Sequence, residues 1–188
     1  MTEWRSLIQP KLDYCSQLWS PTNSKTINML ENIQCQFMSQ ISGMRNKDYW
    51  ERLLELKLYS QERRHERYAI IFIWKCAVGL VDGYTLNFTN NPRRGRLCVP
   101  RKVNQKPPLQ IKKASEASLA VRGARLFNLL PRNIRDTSLP VSKSVIPFKT
   151  LLDNFLSNIP DQPTVQSRRR PAESNNLLDQ VPMTVKSL

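Results

Sequence analysis

The 188-residue sequence contains a single histidine, only five glycines and no two aspartates in succession. Each of these absences removes a class of chemistry. Two-metal polymerases and nucleases need clustered carboxylates to hold Mg²⁺. Here Asp13, Asp48, Asp82, Asp136, Asp153, Asp161 and Asp179 all stand alone, several of them where helix capping accounts for them. The glutamates fall mostly on polar helix faces near Lys or Arg and read as solvated surface. His65, inside Arg63-Arg64-His65-Glu66-Arg67, has no nucleophile or orienting partner in its neighbourhood and is expected at the surface. No glycine-rich phosphate loop and no Walker-type Gly-Lys-Ser/Thr occurs.

Cys15, Cys35, Cys76 and Cys98 are too widely spread for the close pair of a zinc site and too sparse for a disulfide scaffold. They read as free thiols in a reducing compartment. The longest unbroken apolar run, residues 68–74, is far short of the ~20 residues a membrane span needs. Glu3, Trp4 and Arg5 stand where a signal peptide would carry a basic region and an apolar core. Together these absences argue against an enzyme acting alone, and against a metal, a cofactor, a small-molecule substrate or a membrane partner. The expected location is intracellular, in the nucleus or the cytoplasm, with the nucleus favoured.

What the sequence does have is positive charge, unevenly spread. The net charge is +14, and residues 86–135 hold twelve Lys and Arg against the single Glu116, a net of +11. Concentrated basic charge attracts a polyanion at a distance and gains free energy by releasing condensed counterions. Nucleic acid is the expected partner; on charge alone, an acidic membrane surface or an acidic protein is the plainer alternative.

Hydrophobic periodicity sets the elements. Trp4, Leu7, Ile8, Leu12, Cys15, Leu18 and Trp19 recur at helical spacing, with Pro10 either starting a new helix or kinking a continuous one. Ile27, Leu30, Ile33, Phe37 and Ile41 form the next stripe, which Gly43 is placed to end. Asp48 and Glu51 read as a capping box for a short helix carrying Trp50, Leu53, Leu54 and Leu58. A long helix is predicted over residues 61–81, charged and solvated in its first turns, apolar almost all round in its second half, and stopped by Gly83. Residues 85–89, 96–99 and 109–112 are short β-leaning runs between proline-rich breaks. Helix returns over 117–130, before Pro131. The last stripe, Phe148, Leu151, Leu152, Phe155, Leu156 and Ile159, starts near Ser144 and stops at Pro160. No internal repeat is present.

The expected fold class is mainly α. A helical, bundle-like, thumb-like N-terminal part covers 1–84 and a short basic extended or β insert covers 85–116. Two further helices occupy 117–160, and 161–188 is a polar, aperiodic tail expected to be disordered.

The candidate nucleic-acid contacts follow from this layout. Arg93, Arg94, Arg96, Arg101, Lys102, Lys106, Lys112 and Lys113 decorate extended backbone, and Arg122 and Arg125 share one face of the following helix. An extended basic strand can track a phosphate backbone, with Arg adding bidentate contacts to phosphate oxygens. Nearby aromatics are few (Phe88, then Phe127), so base stacking has little support and sequence-independent binding fits better. A plainer use of the same charge is a solubilising tether or a nuclear-import patch, which Arg168-Arg169-Arg170 also suits.

One wording in the sequence is specific. Leu7-Ile8-Gln9-Pro10-Lys11-Leu12-Asp13-Tyr14-Cys15, followed by Trp19-Ser20-Pro21, resembles the L-I-R-P-x-L-E-Y-x-S-x-x-W-S-P segment after the palm in non-LTR (LINE-type) retrotransposon reverse transcriptases. Later pieces are similar to that family in the same order. They are Ile27, Leu30-Glu31 and Ile33-Gln34; Arg52-Leu53 with Leu56 and Leu58; Arg63-Arg64 through Lys75 and Gly79-Leu80; the run Arg122-Gly123-Ala124-Arg125-Leu126-Phe127-Asn128-Leu129-Leu130-Pro131; and Phe148-Lys149 with Leu152-Asp153.

The resemblance covers roughly residues 4–163 and implies a thumb-like and C-terminal region that holds template and primer. It further implies that the fingers and the palm, with its catalytic aspartates, would lie before Met1. Cys35 and Gln36 stand where the family usually carries basic residues, which removes one expected nucleic-acid contact, and no C-terminal Cys/His knuckle follows. The functional expectation is a non-catalytic fragment of an RNA-directed DNA polymerase that binds RNA or DNA weakly. Alternatives are a helical protein-interaction module, with a palm supplied by another chain as one partner, and a decayed element copy with no selected function.

Overall fold

Residues 2–81, 89–91, 96–98, 118–135, 144–163 and 174–184 are described by the computed structural model, and they are mainly helical, as the apolar periodicity predicts. The chain divides into two compact units: Met1–His65 with Ile159–Leu188, and Glu66–Asn158. This division differs from the four sequence segments, because it joins the C-terminal stretch to the N-terminal helices and cuts within the long helix.

In the first unit a π-helical turn, Trp4–Ile8, runs directly into α1, Gln9–Asp13. Pro10, near the start of α1, would press its ring against the carbonyl four residues earlier in a regular helix. The wider π turn, closed by the Gln9 amide on the Trp4 carbonyl, avoids that clash. Cys15, at φ 51°, reverses the chain into the short α2, Ser16–Trp19. Trp4 is fully buried, its ring 5.0 Å from Phe37 and its Nε1 donating to Gln9 Oε1 at 2.7 Å.

Helix α3, Ser24–Ser39, starts at Asn23, whose side chain accepts from the Lys25 amide. Its buried face is Glu31, Gln34, Cys35 and Met38, not the predicted stripe; Ile33 is exposed, as is Met29 one turn earlier. Helix α4, Tyr49–Leu56, forms the predicted capping box, with Glu51 accepting from the Asp48 amide at 2.9 Å. Cys35, Met38, Tyr49 and Leu53 make the core between α3 and α4, with Leu56 and Leu58 against it. Arg52 is buried and donates to the Lys47, Arg45 and Cys35 carbonyls, which ties the 40–47 turns to α4.

Helix α5, Gln61–Ala77, ends four residues before the predicted last residue, Val81. Gly79 at φ 74°, with Leu80 donating to the Lys75 carbonyl and Gly79 to that of Cys76, forms a Schellman cap. The apolar second half is buried as expected, through Ala69, Ile70, Ile71, Ile73 and Trp74. The charged start is not solvated: Arg63 is 0% and His65 3% exposed, and Glu66 is buried as well.

In the second unit, β1 (Thr89–Asn91) and β2 (Arg96–Cys98) pair antiparallel with Asn91 opposite Arg96, so part of the β-leaning segment is paired. Helix α6, Leu119–Leu129, has Ser118 as its N-cap, and β2 lies against it. The short α7, Arg132–Arg135, follows Pro131, and α8, Ile146–Ser157, carries the last stripe. Phe148, Leu152 and Leu156 of that stripe are buried, and Phe148 stacks on Trp74 at 4.7 Å. Gly123 is where α6 crosses α5: a Cβ there would sit 2.7 Å from Ile73 Cγ1.

Part of the tail expected to be disordered is helical. Leu177–Thr184 forms α9, with Leu177 and Val181 one turn apart and both buried. The segment is short and contains Pro182, so periodicity gives it little weight. Its order comes from tertiary contacts.

Candidate nucleic-acid interface

Seven of the ten predicted contact residues, Arg93, Arg94, Arg101, Lys102, Lys106, Lys112 and Lys113, lie outside the described residues. Arg96 opens β2, and the connection between the two paired strands is residues 92–95, which include Arg93 and Arg94.

The structure separates the two helical arginines that the sequence put on one face. Arg125 of α6 is exposed. Arg122 lies 3.7 Å from Glu66, with only 11% of its side chain exposed and none of Glu66's. A cation paired with a buried carboxylate serves the packing of α6 on α5 and leaves little for a phosphate. Arg132, which sequence reasoning did not single out, is exposed at the start of α7. Its only signal was membership of the basic cluster, which does not distinguish exposed from capping residues. Arg135, a turn later, instead donates from Nε to the Leu130 carbonyl at 2.7 Å and closes the end of α6. On α8, Asp153 takes a two-point contact from Arg67, at 2.5 and 2.7 Å.

The first unit holds the titratable groups that sequence reasoning placed on the surface. The His65 ring packs edge-on against Trp19 at 5.0 Å, and its Nε2 lies 3.3 Å from the Leu12 carbonyl oxygen, within donating reach. Beside it, Arg64 makes a bidentate pair with Asp13 at 2.9 to 3.0 Å. Glu31 is 1% exposed; its Oε2 is 2.6 Å from Tyr49 Oη, and its Oε1 accepts from the Glu62 amide at 2.8 Å. Burial raises its pKa to about 7, against the pull of those hydrogen bonds. Burial and the neighbouring Glu31 hold the Tyr49 phenol well above its usual range. The Cys35 thiol is also pushed up by burial, although Arg52 lies beside it.

Among the described residues no cluster of His, Cys, Asp or Glu is arranged to hold a metal ion, and no helix is long and apolar enough to cross a membrane. Large apolar side chains of the first unit face outward: Leu7 is 63%, Leu18 71% and Tyr14 75% exposed. No protein family, curated protein or solved structure matches this chain.

Proposed function

We propose that the chain is a non-catalytic C-terminal part of a non-LTR retrotransposon reverse transcriptase, binding RNA or DNA through residues 86–135 without strong sequence preference. The observation that carries this reading is the packing of β2 on α6. It brings the strand that begins at Arg96 beside the helix that exposes Arg125, so two separate stretches of the basic segment share one neighbourhood. A strand that begins with one arginine beside a helix that exposes another suits the non-specific tracking of phosphates. The nucleus is the favoured compartment on this reading, with the cytoplasm next.

The test is binding of the full chain to a labelled single-stranded RNA and to the same sequence as DNA, across a salt series. Reversing the charge at Arg93, Arg94, Arg96 and Arg101 should abolish binding at moderate salt. It should also flatten the dependence of log affinity on log salt by about 3, since each phosphate neutralised on a single strand adds roughly 0.7 to the slope. Unchanged affinity in the variant, or a flat salt dependence in the parent, would overturn the proposal.

A second reading, a helical module that docks on another protein such as a separately supplied palm, is favoured by the outward-facing Leu7, Tyr14 and Leu18.

A further inference from the structure

Two carboxyl groups from distant parts of the sequence meet at the start of α5. Asp161 Oδ2 accepts from the Ser60 amide at 2.8 Å, while Glu31 accepts from the Glu62 amide at the same distance. Asp161 is also an anchor for the C-terminal stretch, because its Oδ1 accepts from Asn175 Nδ2 at 2.8 Å. Asn175 extends the contact by donating to Ser60 Oγ at 3.2 Å and accepting from the Gln162 amide at 3.0 Å. Arg63 donates through Nη2 to the Pro160 carbonyl, the Asn175 carbonyl and Gln180 Oε1, at 3.0, 3.3 and 2.6 Å. Residues 174–184 are therefore held on the first unit by a polar latch, with Leu177 and Val181 buried beneath it.

We propose that residues 174–184 form a releasable strap, latched to the start of α5 through Asp161 and Asn175, and that the charge on Glu31 decides whether the latch holds. A helix N-terminus offers roughly half a positive charge, which one carboxylate satisfies. A second negative charge in the same buried site is repelled at short range.

The groups that face Glu31 supply no compensating cation. They are the Tyr49 hydroxyl from α4, the Gln61 and Glu62 amides from α5, and Asp161 from the segment after α8. Cys35 sits one turn along α3, and Arg52 is directed to the Cys35 carbonyl and Sγ. No ion pair to Glu31 forms among the described residues. Burial supplies most of the upward push on Glu31 and Asp161 adds a smaller part, so the two carboxyls interact.

With Glu31 protonated the latch holds one carboxylate, Asp161, together with the Arg63 guanidinium. Ionisation as pH rises through about 7 adds the second carboxylate. Asp161 yields first, because Glu31 is almost fully buried and bonded to Tyr49 and to the Glu62 amide, whereas Asp161 is half-buried and linked to the strap.

Amide hydrogen exchange on the full chain tests this, with rates corrected for the intrinsic effect of pH and compared at about pH 6 and about pH 8.5. Peptides covering 174–184 should lose on the order of tenfold in protection at the higher pH, clearly more than peptides from α3 and α4 lose. Glu31→Gln should keep the strap protected at both values, and Asn175→Ala should expose it at both. The proposal is overturned by equal strap protection in the parent chain at the two values. It is equally overturned by opening that persists in the Gln variant, or by loss that extends uniformly through α3 and α4.

Discussion

Glu31 carries its own test of stability. An acid whose value is raised in the folded chain binds its proton more tightly there than when unfolded. Its contribution is therefore most favourable below the ordinary value of 4.5 and declines as pH climbs to about 7, then levels off. The full decline is on the order of 3 kcal/mol. Glu31→Gln has no charge to lose and can keep both contacts, its oxygen accepting from Glu62 and its amide nitrogen donating to the Tyr49 oxygen. Denaturant melts should show little difference from the parent near pH 4.5 and a more stable variant near pH 8. The same pH dependence in both chains would exclude Glu31 as the titrating group. The burial of Glu31, Arg63, His65 and Glu66 was not legible locally. Each sits at a helical position compatible with solvent, and the acceptors that make burial tolerable lie far away in sequence: Arg63 reaches Gln180, and Ser60 reaches Asp161.

At the level of elements, the starts of helices were readable and the ends less so. The Asp48–Glu51 box is a local side-chain-to-backbone arrangement, and its spacing announces it. The end of α5 turned on which of two glycines closes the helix, and Gly79 does so through its left-handed φ. Gly123 gave no such sign; within a helix it reads only as a cost. The reason for it is Ile73, buried on α5 in the space a methyl group would need. Gly123→Ala should lower stability by about 1–2 kcal/mol despite the better helix propensity of alanine. In an Ile73→Ala background the same change should cost clearly less, a coupling that a thermal-melt double-mutant cycle measures. Additive effects would show that α6 and α5 are not in close contact at this point.

At the scale of the whole molecule, two surface features respond to salt in opposite directions. Charge repulsion from a net +14 keeps copies apart at low ionic strength. Screening weakens that repulsion and leaves the exposed Leu7, Tyr14 and Leu18 free to associate. Light scattering should therefore report a mass that rises with salt and with protein concentration, over the range in which affinity for nucleic acid falls. A monomer under all conditions would remove the protein-docking reading and leave the nucleic-acid one untouched.

Composition and periodicity alone determined the mainly helical class, the concentration of charge in residues 86–135 and the capping of α4. These depend on interactions within a few residues or on simple counts. Only the tertiary structure decided which face of α3 is buried, that Arg122 is tied to Glu66 while Arg125 is free to face solvent, and that part of the C-terminal stretch is an ordered strap. The physical reason is the same in each case. A polar side chain is buried when a distant segment supplies its hydrogen-bond partner, and a local pattern holds no record of that segment. The proposed kinship with reverse transcriptases rests on the order of short motifs, and the salt-dependent experiment tests the nucleic-acid binding that it predicts.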